Sequence, residues 1–306
     1  MTAVKRYILC GGSGLIGRAL ALELVNETHE VVMLSRNPEK LSGLPANVKA
    51  EKWDAVSGND WYQVAEGCDA IVNLAGTNIG SGKWSAERKR EIVKSRVDAG
   101  RAIVRAVELM KVKPRALVQA SAVGYYGNSS AKQVNEESPP GNDFLARVAV
   151  DWEDSTKPIE SMGVRRVIIR TGVVLSKNGG VFPTMVLPFR LFIGGRLGNG
   201  RQPFPWIHID DEVRAVRFLI ESDDAAGPFN LTAPHPVTNA QFSSILAEVI
   251  KRPNWLPVPA VALHLILGEM AVIALEGQNA VPNRLVEKGF IFKFPGARQA
   301  IEDLLR

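Results

Sequence analysis

The chain has 306 residues, of which 46% are hydrophobic, and this is enough apolar surface for one large domain or two modest ones. Its 37 basic and 32 acidic residues give a net charge of +5, and because the basic residues are scattered, with the densest stretch at 83–90, a nucleic-acid surface is not expected. The two cysteines, Cys10 and Cys68, exclude a disulfide framework and indicate small buried residues in a reducing compartment.

The first predicted element is a short apolar strand at residues 7–10, which runs directly into the stretch GGSGLIG at 11–17 and then into a helical pattern. A strand, a glycine-rich turn and a helix in this order are typical of a dinucleotide-binding site, although an ordinary glycine-rich loop is the alternative. Gly11 can adopt the backbone angles of a tight turn, Gly14 lets a pyrophosphate approach the backbone, and Gly17 lets the helix pack closely on the strand. The free N–H groups of the first helical turn then face the phosphates.

The second predicted strand, at residues 30–34, ends at Ser35 and Arg36. In NAD-binding proteins an acidic residue at this point bonds the 2′-hydroxyl of the ribose, and no acid is present here. A serine hydroxyl and an arginine suit a 2′-phosphate instead, so the sequence predicts NADP(H) in preference to NAD(H), unless Arg36 is a solvated surface charge. A short third strand is expected at 48–54, where Asp54 is either an adenine contact or a turn residue.

Strand and helix patterns alternate through the following residues. Buried strands are expected at 70–76, 116–121 and 166–170, with an amphipathic helix at 87–110 between the first two. This alternation predicts an α/β fold with a Rossmann-type doubly wound parallel sheet and helices on both faces. In such a sheet the ligand binds at the carboxyl ends of the strands. The residues at those ends are Gly11, Ser35, Gly76, Ser121 and Thr171.

The second half of the chain has a different pattern. Proline and glycine interrupt residues 179–205, which are expected to form a long irregular excursion that covers a pocket. Asp210 is expected to cap a helix at 212–221 and Asn239 to cap the next helix, while residues 290–292 are expected to form a short strand. The second half is therefore expected to be mostly helical.

These patterns predict a domain boundary near residue 175. Residues 1–175, with returns from 207–232, are expected to form the nucleotide-binding domain, and residues 176–306 mainly a substrate lobe. The most apolar late stretch, 258–275, is interrupted by proline, glycine and charged residues, so we expect packed helix rather than a membrane span. Because a strand begins close to the N-terminus, we expect no targeting peptide and a cytoplasmic protein.

Several motifs resemble those of the extended short-chain dehydrogenase/reductases, namely the stretch at 11–17, NLAG at 73–76, Ser121 after a strand and WIHIDD at 206–211. Further motifs resemble an atypical branch of that family, the epimerase-family proteins often labelled cell-division inhibitor (SulA-like) homologues. Those further motifs are GKW at 82–84, SAVGYYG at 121–127, RTGVVL at 170–175, LPVP at 256–259, LGEM at 267–270 and LEGQ at 275–278. The resemblance covers essentially the whole chain.

The resemblance implies an NADP(H)-binding Rossmann-type domain with a C-terminal substrate lobe. Typical members use a serine, a tyrosine and a lysine four residues after the tyrosine; the tyrosine moves a proton at the substrate oxygen, and the lysine holds the nicotinamide ribose. In this chain Phe144 stands at the tyrosine position and Val148 at the lysine position, and no Tyr-x-x-x-Lys occurs anywhere in it. The usual proton-transfer groups are therefore missing, and the fold by itself does not restore them.

Other residues could supply the missing chemistry. Ser121 is expected to orient the substrate oxygen, and Tyr125 or Tyr126 could present a phenol near the nicotinamide, although both tyrosines also fit a packed position under the loop. Arg147 offers a positive charge in place of the lysine, but an arginine does not give up its proton. We therefore take Ser121 and Tyr125 as the candidate catalytic residues.

The remaining candidate site residues come from the same motifs. The candidate substrate-pocket residues are Trp84, Tyr126, Phe144 and His208. Trp84 fits a packing anchor equally well, and His208 fits a structural histidine that is bonded to a loop. The candidate cofactor-binding residues are Gly11, Ser13, Gly14, Leu15, Ile16, Ser35, Arg36, Asp54, Leu74, Ala75, Gly76, Ser121, Thr171 and Gly172. No spacing of histidines and cysteines indicates a metal site.

Two functions fit this sequence. The first is an NADP(H)-dependent epimerase or oxidoreductase that acts on an unidentified small molecule with a hydroxyl or carbonyl group. The second is a non-catalytic NADP(H)-binding protein that senses redox state or binds a partner, with a link to cell division implied by the resemblance. The resemblance also implies a homodimer through two long helices, which would be residues 87–110 and 144–162 here. Neither nucleic acid nor a membrane is expected as a partner.

Overall fold

The computed structural model describes residues 4–25, 29–41, 43–59, 61–129 and 132–306. Its strands in chain order are β1 (Arg6–Cys10), β2 (Glu30–Ser35), β3 (Val48–Lys52), β4 (Ala70–Asn73), β5 (Ala116–Ala122), β6 (Gln133–Val134), β7 (Arg165–Thr171), β8 (Val173–Leu175), β9 (Pro203–Phe204), β10 (Trp206–His208), β11 (Gly227–Leu231), β12 (Val237–Thr238) and β13 (Asn279–Ala280). Its α-helices are α1 (Leu15–Val25), α2 (Tyr62–Ala65), α3 (Ala86–Leu109), α4 (Phe144–Asp154), α5 (Phe182–Arg190), α6 (Ile209–Glu221), α7 (Asn239–Ile250), α8 (Ala260–Leu267), α9 (Val272–Leu275), α10 (Asn283–Glu287) and α11 (Ala297–Leu304). Short 3₁₀ helices lie at Pro38–Lys40, Val123–Tyr126, Lys157–Met162 and Gly268–Ala271.

Seven of these strands form one parallel sheet in the order β11-β7-β5-β4-β1-β2-β3. The chain fills one half of the sheet with β1, β2 and β3 and then crosses to the other side of β1 to place β4. Such a reversal of strand order opens a crevice at the carboxyl ends of the strands, where a nucleotide can bind. The predicted α/β class with a doubly wound parallel sheet is confirmed.

Helices cover both faces of this sheet, and alternate residues of each strand pack on opposite faces. Along β1, Tyr7 and Leu9 belong to a core with α1 and α6, while Ile8 and Cys10 belong to a core with α3. Cys68 lies in that second core, and burial raises the pKa of both cysteine thiols. Strands buried on both faces form continuous apolar runs, which explains why the sequence pattern located them.

A third core lies beside the sheet and joins α5, α7 and α11. Phe182, Trp206 and Phe242 are fully buried in it. The C-terminal segment also contacts the edge of the seven-stranded sheet, because the Asn230 side chain on β11 donates from Nδ2 to the carbonyl of Val281 at 2.9 Å. Its strand β13 pairs in parallel with β6 in a separate two-stranded sheet. Among the residues that the structure describes, no helix is long and apolar enough to cross a membrane.

Three elements differ from the sequence-based expectations. The expected irregular stretch at 179–205 is wrong, because α5 lies within it. The expected strand at 290–292 does not form, since Phe290 packs on Phe218 with ring centroids 5.6 Å apart and the segment pairs with no strand. The expected helix at 144–162 ends at Asp154 and is followed by a 3₁₀ helix that contains Pro158, which has no N–H to donate.

Two helix caps also differ from the expected ones. His208 rather than Asp210 caps α6, because its Nδ1 accepts the N–H of Asp210 at 3.1 Å. Thr238 rather than Asn239 caps α7: its Oγ1 accepts the N–H of Gln241 at 3.2 Å, and Gln241 Oε1 accepts the N–H of Thr238 at 2.7 Å. This reciprocal pair is a capping box. In both helices the side chain of an earlier residue already satisfies one of the free N–H groups of the first turn.

Candidate functional site

The glycine-rich turn between β1 and α1 forms one wall of the first candidate site. Gly11 has φ = +79°, and a Cβ there would lie 2.8 Å from the backbone nitrogen of Ala75, so this position requires glycine. A Cβ on Gly17 would lie 2.6 Å from the Cα of Gly12, so glycine is needed here for α1 to approach the turn. At Gly14, by contrast, a Cβ would meet only the carbonyl oxygen of Gly11, at 3.5 Å. The space beside Gly14 is therefore open to a ligand.

A cavity of about 420 Å³, the first cavity, opens beside this turn at the carboxyl ends of β1, β2 and β4. The predicted cofactor-binding residues that line it are Gly11, Ser13, Gly14, Ser35, Arg36, Asp54, Leu74, Ala75 and Gly76. The other predicted cofactor-binding residues lie outside it. Leu15 and Ile16 begin α1, while Ser121, Thr171 and Gly172 lie at the ends of β5 and β7. The first cavity thus follows the sheet edge that the strand pattern indicated.

Ser35, Arg36 and Asn37 form the corner of the first cavity at the end of β2. Ser35 is buried and its Oγ accepts the N–H of Asn37 at 3.2 Å, whereas Arg36 is exposed. An exposed guanidinium at the rim of a cavity can bind an anionic group of a ligand in the bidentate manner that suits phosphate. The assignment of this corner to a 2′-phosphate stays a prediction.

Asp54 lines the first cavity and also holds a turn in place. Its Oδ1 accepts the N–H groups of Val56 at 2.8 Å and Ser57 at 2.7 Å. Burial opposes ionisation of Asp54, but the N–H donors of Ser57 and Val56 outweigh it and lower its pKa. Asp54 is therefore an ionised turn residue with one side in the cavity wall.

The second cavity, of about 340 Å³, lies beyond the ends of β5 and β7 and has a largely apolar wall. Trp84, Phe144, Val148 and Trp152 line it, and the rings of Trp84 and Phe144 meet edge to face with centroids 5.3 Å apart. Trp84 Nε1 donates to the carbonyl of Ile79 at 2.9 Å, which fixes the indole ring. Phe144 and Val148, which the resemblance places at the usual tyrosine and lysine positions, thus both line this cavity with apolar side chains.

Arg96, on α3, lines the second cavity although it is only 9% exposed, and the sequence patterns did not single it out. Its Nη1 donates to the carbonyl of Ile92 at 3.0 Å, and its guanidinium carbon lies 4.8 Å from the ring centroid of Trp152. Burial, together with nearby Arg88, lowers the pKa of Arg96 to about 10. A sequence signal existed: Ile92, Arg96 and Ile103 share one helix face, which places an arginine in an apolar stripe.

Ser121 is buried at the end of β5 and belongs to a polar network. Its Oγ donates to Oε1 of Glu153 at 2.7 Å. The same carboxylate binds Arg170, with Nε to Oε1 at 2.8 Å and Nη2 to Oε2 at 3.0 Å. Because the only proton of the Ser121 hydroxyl goes to Glu153, Ser121 can donate to a substrate oxygen only after it leaves this partner. Its catalytic role stays a prediction.

The two tyrosines belong to the same network. Tyr126 is buried; its hydroxyl donates to Oδ1 of Asn230 at 2.6 Å and accepts from Nη1 of Arg170 at 3.1 Å, and burial raises its pKa to about 12. The expected place of Tyr126 in the substrate pocket is therefore corrected, because these bonds hold it in the interior. The ring of Tyr125 lies 3.4 Å from the guanidinium carbon of Arg170, and its catalytic role stays a prediction.

His208 is buried at the start of α6 and does not line the second cavity. Its ring packs on Phe294 with centroids 3.9 Å apart, and its Nε2 lies 3.4 Å from Oδ2 of Asp303. Burial lowers the pKa of His208 despite the nearby aspartates. The expected place of His208 in the substrate pocket is corrected: it is a structural histidine that caps a helix. In the described part of the chain no group of three or more His, Cys, Asp or Glu side chains is arranged to hold a metal.

Glu212 is a fully buried carboxyl group in the first turn of α6. Thr171 Oγ1 donates to its Oε1 at 2.8 Å, and Thr171 lines the second cavity next to Gly172. Complete burial raises the pKa of Glu212 to about 8, against the opposing effect of the Thr171 hydrogen bond. Glu212 is therefore mostly protonated at neutral pH. The sequence around it did not distinguish it from half-exposed Asp210 on the same helix.

Glu212→Gln should make the stability of the protein less dependent on pH. The folded state keeps Glu212 protonated up to about pH 8, whereas a glutamate in the unfolded chain loses its proton near about pH 4.3. Between these values the unfolded state binds fewer protons, so the stability of the wild type falls as pH rises. Glutamine still accepts the Thr171 hydrogen bond but has no proton to lose.

Urea titrations at about pH 5 and about pH 8 measure this effect. Relative to the wild type, Glu212→Gln should become more stable at the higher pH, with a slope of up to about 1.4 kcal/mol per pH unit. A difference between the two proteins that stays constant across this range would contradict the protonation of buried Glu212.

Comparison with known proteins assigns the chain to a family. Residues 7–232 match the NAD dependent epimerase/dehydratase family, and residues 258–304 match a domain of unknown function, DUF1731. Epimerase family protein YfhF of Bacillus subtilis is 38% identical over 298 residues, which cover 97% of each chain. Epimerase family protein Mb2239 of Mycobacterium bovis is 41% identical over 285 residues, which cover 93% of this chain and 92% of that protein.

Solved structures agree with these matches. The crystal structure of human epimerase family protein SDR39U1 with NADPH superposes with a TM-score of 0.88 at 33% identity and covers 98% of both chains. A nucleoside-diphosphate sugar epimerase from Corynebacterium glutamicum superposes with a TM-score of 0.78 at 31% identity, over 99% of this chain and 58% of that one. The resemblance to epimerase-family proteins that the motifs indicated is confirmed, and the chain belongs to the NAD dependent epimerase/dehydratase family.

Proposed function

We propose that the protein is an NADP(H)-dependent oxidoreductase or epimerase for a small molecule that bears a hydroxyl or carbonyl group. The proposal is carried by one observation: a residue that lines the first cavity contacts a residue that lines the second, at one edge of the sheet. Gly76 lines the first cavity, and a Cβ on it would lie 3.2 Å from the guanidinium carbon of Arg96, which lines the second. A nucleotide in the first cavity therefore borders a substrate in the second. The NADPH in the human relative supports this use of the first cavity.

The side chains have separate tasks in this proposal. The bound cofactor supplies or accepts a hydride. Gly14 and the free N–H groups at the start of α1 hold its phosphates, while Ser35 and Arg36 hold the 2′-phosphate. Apolar side chains such as Phe144 exclude water from the reacting atoms. Ser121 orients the substrate oxygen once its hydroxyl leaves Glu153.

Arg36→Ala tests the cofactor part of the proposal. Calorimetric titrations should show that this change weakens NADPH binding by about tenfold to a hundredfold, because a charge-assisted contact to the 2′-phosphate contributes about 1.5–3 kcal/mol. NADH has no 2′-phosphate, so its affinity should stay the same. Arg190→Ala, which removes an exposed arginine on α5, is the control and should change neither affinity. Equal losses for NADPH and NADH, or no binding of either by the wild type, would contradict the assignment.

A second candidate function is a non-catalytic NADP(H)-binding protein that senses redox state or binds a partner. Phe144 and Val148 favour it, because they line the second cavity where a proton donor and a cation would be needed. Steady oxidation of NADPH in the presence of a panel of aldehydes and ketones would support the enzyme. Tight NADPH binding without turnover across such a panel would support the second candidate.

A further inference from the structure

Arg96 is a buried cation without a carboxylate partner in the part of the chain that the structure describes. A guanidinium has five N–H donors, and the acceptor found for Arg96 is the carbonyl of Ile92, one helical turn earlier. Its face lies on the ring of Trp152, whose own Nε1 is buried and has no acceptor among the residues that the structure describes. Arg170 shows the contrast, since it is equally buried but binds both carboxylate oxygens of Glu153.

Other charged groups around the second cavity do not neutralise Arg96. Glu269 and Glu276 are exposed at its rim, and Glu269 forms an ion pair with Lys89. Asp143 is half-buried, and its Oδ1 caps α4 by accepting the N–H of Ala146 at 2.8 Å. Within the described ranges of the chain, the Arg96 guanidinium in the cavity wall is thus left without a carboxylate beside it.

A buried cation with unused donors costs free energy, and such groups are concentrated at functional sites. We propose that Arg96 is an anion-binding residue of the substrate site and that the substrate carries a carboxylate on an otherwise apolar body. The guanidinium matches a carboxylate in a bidentate geometry. The apolar body would pack against the wall formed by Trp84, Phe144 and Val148, in a cavity of about 340 Å³. The inference rests on the proposed function, because it takes the second cavity as the substrate site.

A pair of probes that differ in charge but hardly in shape tests this inference. Naphthalene-2-carboxylate and the neutral naphthalene-2-carboxamide are titrated by calorimetry into the full-length protein, with and without NADP⁺. The wild type should bind the carboxylate about tenfold more tightly than the amide, as expected for a charge-assisted hydrogen bond. Arg96→Gln should remove this preference, and Arg96→Lys, which keeps the charge but not the fork, should retain part of it.

Arg147→Gln is the matched control. Arg147 is exposed on α4 and its Nη1 donates to the carbonyl of Asn142 at 2.5 Å, so the same substitution there should leave the carboxylate preference unchanged. A thermal melt of every variant reports whether the protein is folded, and Arg96→Lys keeps the test valid if Arg96→Gln does not fold.

Several results would overturn the inference: equal affinities for the two probes, binding of neither, or a preference that survives Arg96→Gln. A loss of NADPH affinity in Arg96→Gln with the carboxylate preference intact would likewise overturn it, because Arg96 would then serve the cofactor. If the wild type prefers the carboxylate but binds no NADPH, the proposed function fails and the anion site stands.

Discussion

Glu153→Gln is expected to lower the free energy of unfolding by about 3 to 5 kcal/mol, as found when one partner of a buried ion pair is removed. Glutamine can still accept the hydroxyl of Ser121, but it leaves the charge of Arg170 in the interior without its counter-ion. The loss comes from that uncompensated charge rather than from a missing contact. Urea unfolding followed by tryptophan fluorescence gives the difference directly.

The control for this change is the exposed ion pair between Arg298 and Glu248. Glu248→Gln should cost less than about 1 kcal/mol, because water solvates both partners when the pair is broken. If Glu153→Gln lowered the free energy of unfolding as little as Glu248→Gln, water would have to reach Arg170. The hydrogen-bond network around Ser121 would then be hydrated. That result would also support the proposal that the Ser121 hydroxyl can leave Glu153 for a substrate oxygen.

Gly14→Ala is expected to weaken NADPH binding by about a hundredfold while leaving stability almost unchanged. A Cβ at this position meets only the carbonyl oxygen of Gly11 at 3.5 Å within the protein, so the fold tolerates it. The same Cβ occupies the space through which a pyrophosphate would approach the backbone, and about 3 kcal/mol of binding energy is lost with that approach. Calorimetry with NADPH and a thermal melt of the free protein measure the two quantities separately.

Gly296→Ala is the control for both measurements, because a Cβ at Gly296 meets nothing within 4 Å. It should change neither NADPH affinity nor stability. A Gly14→Ala protein that binds NADPH as tightly as the wild type would place the phosphates elsewhere along the first cavity. A large drop in its melting temperature would instead mean that the turn itself depends on glycine at this position.

The sequence located the first cavity because its signals are local. Gly11, Ser35 and Gly76 each end an apolar run, and parallel strands bring such ends to one edge. The glycine-rich turn needs only neighbouring residues to be recognised. Trp84 and Phe144 belong to short motifs, and both line the second cavity, while their place in a substrate pocket stays a prediction.

The second cavity and the polar interior depend on contacts between distant parts of the chain. Ser121 meets Glu153 across 32 residues, and Tyr126 meets Asn230 across 104, and no local pattern specifies such pairs. The apolar stripe of α3 marks Arg96 as buried, but only the packing of Trp152 from α4 shows that Arg96 lines a cavity. The sequence-based prediction placed His208 in the substrate pocket, whereas its side chain caps α6. The sequence context of a capping histidine is the same as that of a histidine that faces a pocket.

The contact of the C-terminal segment with the edge of the sheet has a consequence for synthesis of the chain. Strand β11 is an edge strand, and the residues that cover it come later: Val281 accepts a hydrogen bond from Asn230, 51 positions earlier, and Arg284 donates to the carbonyl of Pro228. A growing chain therefore emerges from the ribosome with this edge unprotected for several seconds at about 5–20 residues per second. Unpaired edges invite pairing with other chains, so the segment that carries Val281 and Arg284 can cover this edge only late in synthesis.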